Sequence, residues 1–270
     1  MFDLSAVVKE AKDKLIAIAF HDIETGAEYF LNADHAFHPA STFKVHVMME
    51  VFHQAEGRLL SLEDRIPIIN SFTSIAEGSL YSLDVKDDAE KTLYPRIRES
   101  ETIQELTRLM IVRSSNLATN ILLEKVSAKK VNDFIQALGI QGVTVRRGVE
   151  DNVALRLGMN NSATARGLTQ TMKLIAEKKV VSQQASEKMI EILLGQEFNE
   201  SIPALLPTSV KVAHKTGWTD DVYHDTGIIY PESRKPYLLS IMTKGFAENQ
   251  EHEAHQCMAN LSKMIYEKLS

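Results

Sequence analysis

Apolar residues along this chain repeat with two spacings, and the change from one to the other divides it into segments. Residues 4–13 carry apolar positions on one side of a 3.6-residue period and predict an amphipathic helix. Leu15 to Phe20 and Glu28 to Leu31 read as two strands, joined by a turn at Glu24-Thr25-Gly26. An apolar helical run follows from Phe43 to Phe52. Residues 61–98 mix Ser, Asp, Lys and Pro without a period, which predicts loops and a short hairpin. Helical spacing returns at 102–112, 117–126, 128–138, 163–178 and 183–194, punctuated by Gly139 and Pro207. Three strands are expected near 210–216, 224–230 and 237–243, with Pro231 to Pro236 as a turn, and a last helix near 248–268.

Strands at both ends with helices between them predict an α/β (α+β) fold. Its core is one antiparallel five-stranded sheet built from both termini, with the terminal helices over one face. Residues 1–40 and 205–270 would form the sheet lobe, residues 41–204 a mainly helical lobe, and a site would lie in the cleft between them.

Composition narrows the function classes. The chain has 270 residues, 44% hydrophobic and 24% charged, which suits one large domain or two intimate lobes. A net charge of −6, with the basic residues scattered, argues against nucleic acid or an anionic membrane surface as partner. The N-terminal stretch has neither a basic nor an apolar signal region, so no signal peptide is expected, and no apolar run approaches the ~20 residues that span a bilayer. The compartment stays open: cytoplasmic as written, or outside the cytoplasm if a leader was removed. A monomer is expected. The single cysteine, Cys257, excludes an intrachain disulfide and reads as structural. No two glycines lie two or four apart, which excludes a dinucleotide fingerprint and a Gly-x-Ser-x-Gly elbow. His252 and His255 are one residue too close for a His-Glu-x-x-His zinc site, and His46 and His53 read as solvated or capping residues. No metal or cofactor is expected.

The candidate chemistry lies in three short elements. Ser41-Thr42-Phe43-Lys44 sets a hydroxyl and an amine one helical turn apart, where one can be nucleophile and the other base. It follows the turn His38-Pro39-Ala40 and opens an apolar helix, so Ser41 should sit at a helix N-terminus with free N–H groups nearby. Ser114-Ser115-Asn116 lies between two helical segments, and Lys215-Thr216-Gly217 ends a strand-like run. A second Ser-x-x-Lys copy, Ser127 to Lys130, reads as a helix start with Ser127 as its N-cap.

In that order the three elements resemble the signature of class A β-lactamases and related serine hydrolases of the penicillin-binding-protein-like superfamily. The resemblance spans nearly the whole chain and includes Asn116-Leu117-Ala118-Thr119-Asn120, Val212 to Gly217, Val145 to Asp151 and Thr164-Ala165-Arg166. It implies a three-layer fold and an acyl-enzyme on Ser41, most simply one that hydrolyses the β-lactam amide of penicillin-type antibiotics. Lys44 would be the base, lowered from its ordinary pKa by burial or by the charge of Lys215. Ser114 would relay a proton to the leaving nitrogen, and Asn116 would bind the substrate's side-chain amide. Lys215 and Thr216 would hold the substrate carboxylate. Gly217 would admit the acyl group, and the N–H groups of Ser41 and Trp218 would form an oxyanion hole. The Trp218 side chain would be a wall of the cleft.

Two positions depart from the family pattern. The middle element reads Ser-Ser-Asn instead of Ser-Asp-Asn. The deacylating Glu of class A enzymes stands two residues after an Arg, with Asn four further on; here Glu150 stands three after Arg147, and position 154 is Ala. Glu150 is the first candidate for that base and Asp151 the second, and both also read as ordinary loop carboxylates. A chain that acylates without fast deacylation would be a D-Ala-D-Ala peptidase, a penicillin-binding protein or a small-ester hydrolase. One that only binds would be a β-lactam sensor. The partner in each case is a small β-lactam, acyl-peptide or ester.

Overall fold

The computed structural model describes Leu4, Ala11 and residues 13–269, and the helix expected over 4–13 lies outside the described residues. Five strands form the central sheet: β1 (Leu15–Asp22), β2 (Glu28–Leu31), β3 (Lys211–Thr219), β4 (Val222–Tyr230) and β5 (Tyr237–Lys244). Their order is β2-β1-β5-β4-β3, and every neighbouring pair is antiparallel. The two ends of the chain thus close one sheet, with β1 paired along its full length with β5, from Leu15 opposite Lys244 to Asp22 opposite Tyr237. A strand buried on both sides has to be apolar throughout, and Ile16 to Phe20 in β1 meets that condition.

Among the described residues, eight helices accompany the sheet: α1 (Lys44–Glu56), α2 (Ile103–Val112), α3 (Asn116–Val126), α4 (Ala128–Ala137), α5 (Asn152–Arg156), α6 (Ala165–Ala176), α7 (Gln183–Leu194) and α8 (Glu251–Leu269). Among the described residues none is long and apolar enough to cross a membrane. One face of the sheet carries α8, which packs Ala254, Met258, Leu261 and Ile265 against Ile18, Phe20, Ile229, Leu239 and Ile241. The other face joins Ala17, Ala19, Ala213, Ile228 and Met242 to the helical core. There α6 lies on the sheet, and Thr169 donates its buried hydroxyl to the Ala19 carbonyl at 3.1 Å. Helix α1 runs through the middle of this core. Apolar side chains cover most of its circumference, as a helix surrounded by other helices requires, and Val45, Val47, Met48, Met49, Val51 and Phe52 are all buried.

Capping residues fix where the helices start, each worth about 1 kcal/mol. Thr102, Ser115, Ser127, Thr164 and Ser182 accept the N–H three residues on. Ser127 accepts from Lys130 N–H at 3.3 Å, so the second Ser-x-x-Lys copy is a helix cap. The irregular stretch 61–98 holds the expected hairpin, Phe72–Thr73 paired with Leu80–Tyr81. Helix α5 was not anticipated from the sequence; its five residues are too few to show a period.

Candidate active site

Ser41 lies in a 3-10 turn, Ala40–Phe43, that runs directly into α1. Lys44 N–H donates to the Ser41 carbonyl, which fixes the serine one turn ahead of the lysine. Ala40 enters the turn in the left-handed region, at φ +46°. Against this turn lies β3, and a Cβ on Gly217 would sit 2.5 Å from Ser41 N and 2.9 Å from Thr42 N. Only glycine lets the strand come this close.

The Ser114 loop joins α2 to α3, and Ser114 itself is left-handed at φ +55°. Two amines converge on it. Lys44 Nζ donates to the Ser114 carbonyl at 2.6 Å and to Asn116 Oδ1 at 2.9 Å, and lies 3.4 Å from Ser114 Oγ. Lys215 Nζ donates to the same Oγ at 3.0 Å and to the Thr216 carbonyl at 2.8 Å. Both lysines are fully buried, whereas Ser41 is half-buried. Burial pushes the Lys44 amine down to about 7, against the opposing pull of the Asp88 and Glu150 carboxylates. Burial, and then the charge of Lys44, also drive the Lys215 amine well below its ordinary value. Thr216 Oγ1 is buried without a hydrogen-bond partner inside the protein. An unsatisfied buried hydroxyl is costly unless a ligand satisfies it.

Glu150 stands on the same side of Asn116. Its Oε1 lies 3.4 Å from Asn116 Nδ2, and its Oε2 accepts Asp84 N–H at 3.2 Å. Its carboxyl is raised above the ordinary value, first by burial and then by the nearby charges of Asp87 and Asp88, against the Asp84 and Asn116 hydrogen bonds. Asp151, the second candidate base, is held by contacts within the fold. It caps α5 through Ala154 N–H at 3.0 Å and accepts from Ser74 Oγ at 2.8 Å and Ile75 N–H at 3.0 Å.

Asp88 escaped the sequence reading. It is 2% exposed and anchors the start of α3, accepting the N–H groups of Asn116 and Leu117 at 3.0 and 2.9 Å and the Tyr94 hydroxyl at 3.0 Å. Its place in an aperiodic Asp-rich loop gave no signal beyond a carboxylate suited to a helix N-terminus. Trp218, expected as a wall of the cleft, is partly buried, packs its ring edge-on to Phe198 with centroids 5.1 Å apart and lies against the second apolar cluster of the sheet. Of the histidines singled out in the sequence, His46 meets Thr171 at 2.9 Å, His53 stacks on Phe134 and meets Glu50, and His255 meets Ser201 at 2.8 Å.

Ser41, Lys44, Ser114, Asn116, Glu150, Lys215, Thr216 and Gly217 therefore gather where α1, α3 and β3 meet. Comparison with known proteins bears on the family and the fold. The extended-spectrum β-lactamase PER-1 of Pseudomonas aeruginosa is 24% identical over 231 residues, covering 81% of this chain and 71% of the relative. In fold, the chain is similar to a β-lactamase from Sphaerobacter thermophilus, with a TM-score of 0.81 at 22% identity, covering 99% of this chain and 97% of that one. It is also similar to PBP-A, with a TM-score of 0.82 at 19% identity, covering 98% and 94%. The model of the β-lactamase enzyme family matches residues 2–269, and the chain belongs to that family.

Proposed function

We propose that the protein is a serine hydrolase that opens the β-lactam amide through an acyl-enzyme on Ser41. The observation that carries this reading is the meeting of two buried amines on one hydroxyl, Ser114 Oγ, beside the turn that holds Ser41. An amine with a pKa of about 7 is neutral in a large fraction of molecules at neutral pH. Lys44 in that form takes the Ser41 proton as Oγ attacks the lactam carbonyl. The N–H groups of Ser41 and Trp218 stabilise the oxyanion. As the C–N bond breaks, Ser114 gives its proton to the nitrogen and regains one from the lysine pair. Lys215 and the free Thr216 hydroxyl hold the substrate carboxylate, and Asn116 holds the side-chain amide. Glu150, as the carboxylate, then draws a proton from water that attacks the ester and frees Ser41.

Nitrocefin hydrolysis tests this reading. Turnover by the wild-type chain, abolished in Ser41→Ala, is expected; equal turnover by both would overturn it. One observation favours a second reading. Glu150 stands three residues after Arg147, with Ala at position 154, out of register with the deacylating Glu of class A enzymes. A long-lived penicillin adduct with little turnover would identify a peptidase or penicillin-binding protein with the same first half-reaction.

A further inference from the structure

His38 stands three residues before Ser41 and belongs to none of the three motifs. Its carbonyl accepts from His224 Nε2 at 2.9 Å, which ties it to β4. Its ring lies between two segments. Nδ1 is 3.2 Å from the Ala40 N–H in the nucleophile turn, and Nε2 is 3.3 Å from Nη2 of Arg147 in the loop that leads to Glu150. Burial, then the Arg147 charge, hold the imidazole down to about 4, so it is neutral at neutral pH.

Arg147 is 6% exposed, and its other guanidinium bonds go to Asn160 Oδ1 at 3.3 Å and the Gly148 carbonyl at 3.0 Å. None of its three partners carries a charge. The Gly148 contact fixes the backbone two residues before Glu150. Asn120 of α3 continues the restraint, accepting Val149 N–H at 2.7 Å and donating to the Val149 carbonyl at 3.0 Å. Glu150 itself is left-handed at φ +60°, a conformation that surrounding contacts must hold in place.

We propose that His38 is a positioning residue whose ring, through Arg147, joins the Ser41 turn to the Glu150 loop and so sets where Glu150 stands relative to the nucleophile. This rests on the roles assigned above to Ser41 and Glu150. A neutral imidazole has one in-plane lone pair, so it accepts from Ala40 or from Arg147 at any moment. The coupling requires the Nε2 side.

That requirement makes the test selective. Asn in place of His38 offers an amide oxygen near the position of Nδ1, and Gln offers one near the position of Nε2. Acylation and deacylation by benzylpenicillin are followed by time-resolved intact mass in His38→Leu, His38→Asn and His38→Gln. Amide exchange over residues 147–152 is measured in the same proteins without ligand. Deacylation should slow by about tenfold to a hundredfold in the Leu and Asn variants, as a misplaced catalytic group would cause. Acylation in the Asn variant should stay within about threefold of wild type, because an acceptor for the Ala40 N–H keeps the Ser41 turn, and so the reacting geometry, in place. The Gln variant should keep both deacylation and slow exchange, while exchange quickens in the other two. Should the Leu variant fail to fold, the Asn and Gln pair carries the comparison. An Asn variant that matches wild type in deacylation and exchange, or a Gln variant as impaired as Leu, would overturn the proposal. Absence of any wild-type adduct together with absence of benzylpenicillin hydrolysis would instead reject the acyl-enzyme reading, and the exchange comparison would still decide the role of His38.

Discussion

A Cβ built on Gly217 falls 2.5 Å from the backbone nitrogen of Ser41, so the edge strand of the sheet and the nucleophile turn touch through a position that accepts only glycine. The obstructing atoms are backbone and cannot rotate away. Gly217→Ala should force strand and turn apart at a cost of about 1–3 kcal/mol in stability. A displaced oxyanion donor typically costs about a hundredfold or more in rate, so acylation by nitrocefin should fall at least that far. Thermal melting and stopped-flow acylation measure the two effects; an Ala variant that acylates at the wild-type rate would show that the contact has no bearing on the chemistry.

The Lys44 amine, at about 7, predicts the pH dependence of acylation. With the neutral amine as the proposed base, the acylation rate should climb through an ionisation near pH 7 and level off above it, instead of climbing toward 10. The linkage to stability has a definite sign. The folded-state value lies below the ordinary 10.5, so unfolding takes up a proton between about 7 and 10.5. The Lys44 contribution to stability therefore rises with pH across that window and is least favourable below 7. Lys44→Arg, which keeps a charge that cannot be lost, should acylate slowly at every pH.

Glu150→Gln separates the two half-reactions. The amide retains the contacts to Asn116 and Asp84 in kind but cannot act as base. Acylation should stay within a few-fold of wild type, while the acyl-enzyme persists for at least about a hundred times longer, the usual scale of a lost general base. In the wild-type protein, deacylation should rise with pH through the raised Glu150 ionisation. A Gln variant that deacylates as fast as wild type would remove Glu150 from the mechanism.

Asp88→Ala probes the support beneath Asn116. The substitution leaves the N–H groups of Asn116 and Leu117 and the Tyr94 hydroxyl without their buried acceptor. Unfolding by urea should show a loss of about 2–4 kcal/mol, the range for unsatisfied buried donors and a lost helix anchor. Asp88→Asn, which keeps an acceptor, should lose less.

The elements that carry strong periodicity were legible before the structure. Alternating or wholly apolar runs located all five strands to within a few residues, because burial on both faces of a sheet leaves little freedom in composition. Ser41, Lys44, Ser114 and Lys215 were legible as motifs because the chemistry proposed for them needs fixed local spacing. Contacts between distant segments left no such trace. Nothing in an aperiodic loop announces that Asp88 will cap α3, or that His38 and Arg147, 109 positions apart, will meet. The five-residue α5 was too short for its period to register. The choice between Glu150 and Asp151 could not be made from register either; Asp151 is engaged in capping α5 and tying down Ser74, which is why the proposed mechanism uses Glu150.

The most direct test of the account is the intact mass of the protein at intervals after addition of benzylpenicillin, with the modified residue located by peptide mapping. The account predicts a transient gain equal to one whole benzylpenicillin, carried on Ser41 and absent from Ser41→Ala. A gain on another residue, or hydrolysis of the antibiotic by Ser41→Ala at the wild-type rate, would contradict it.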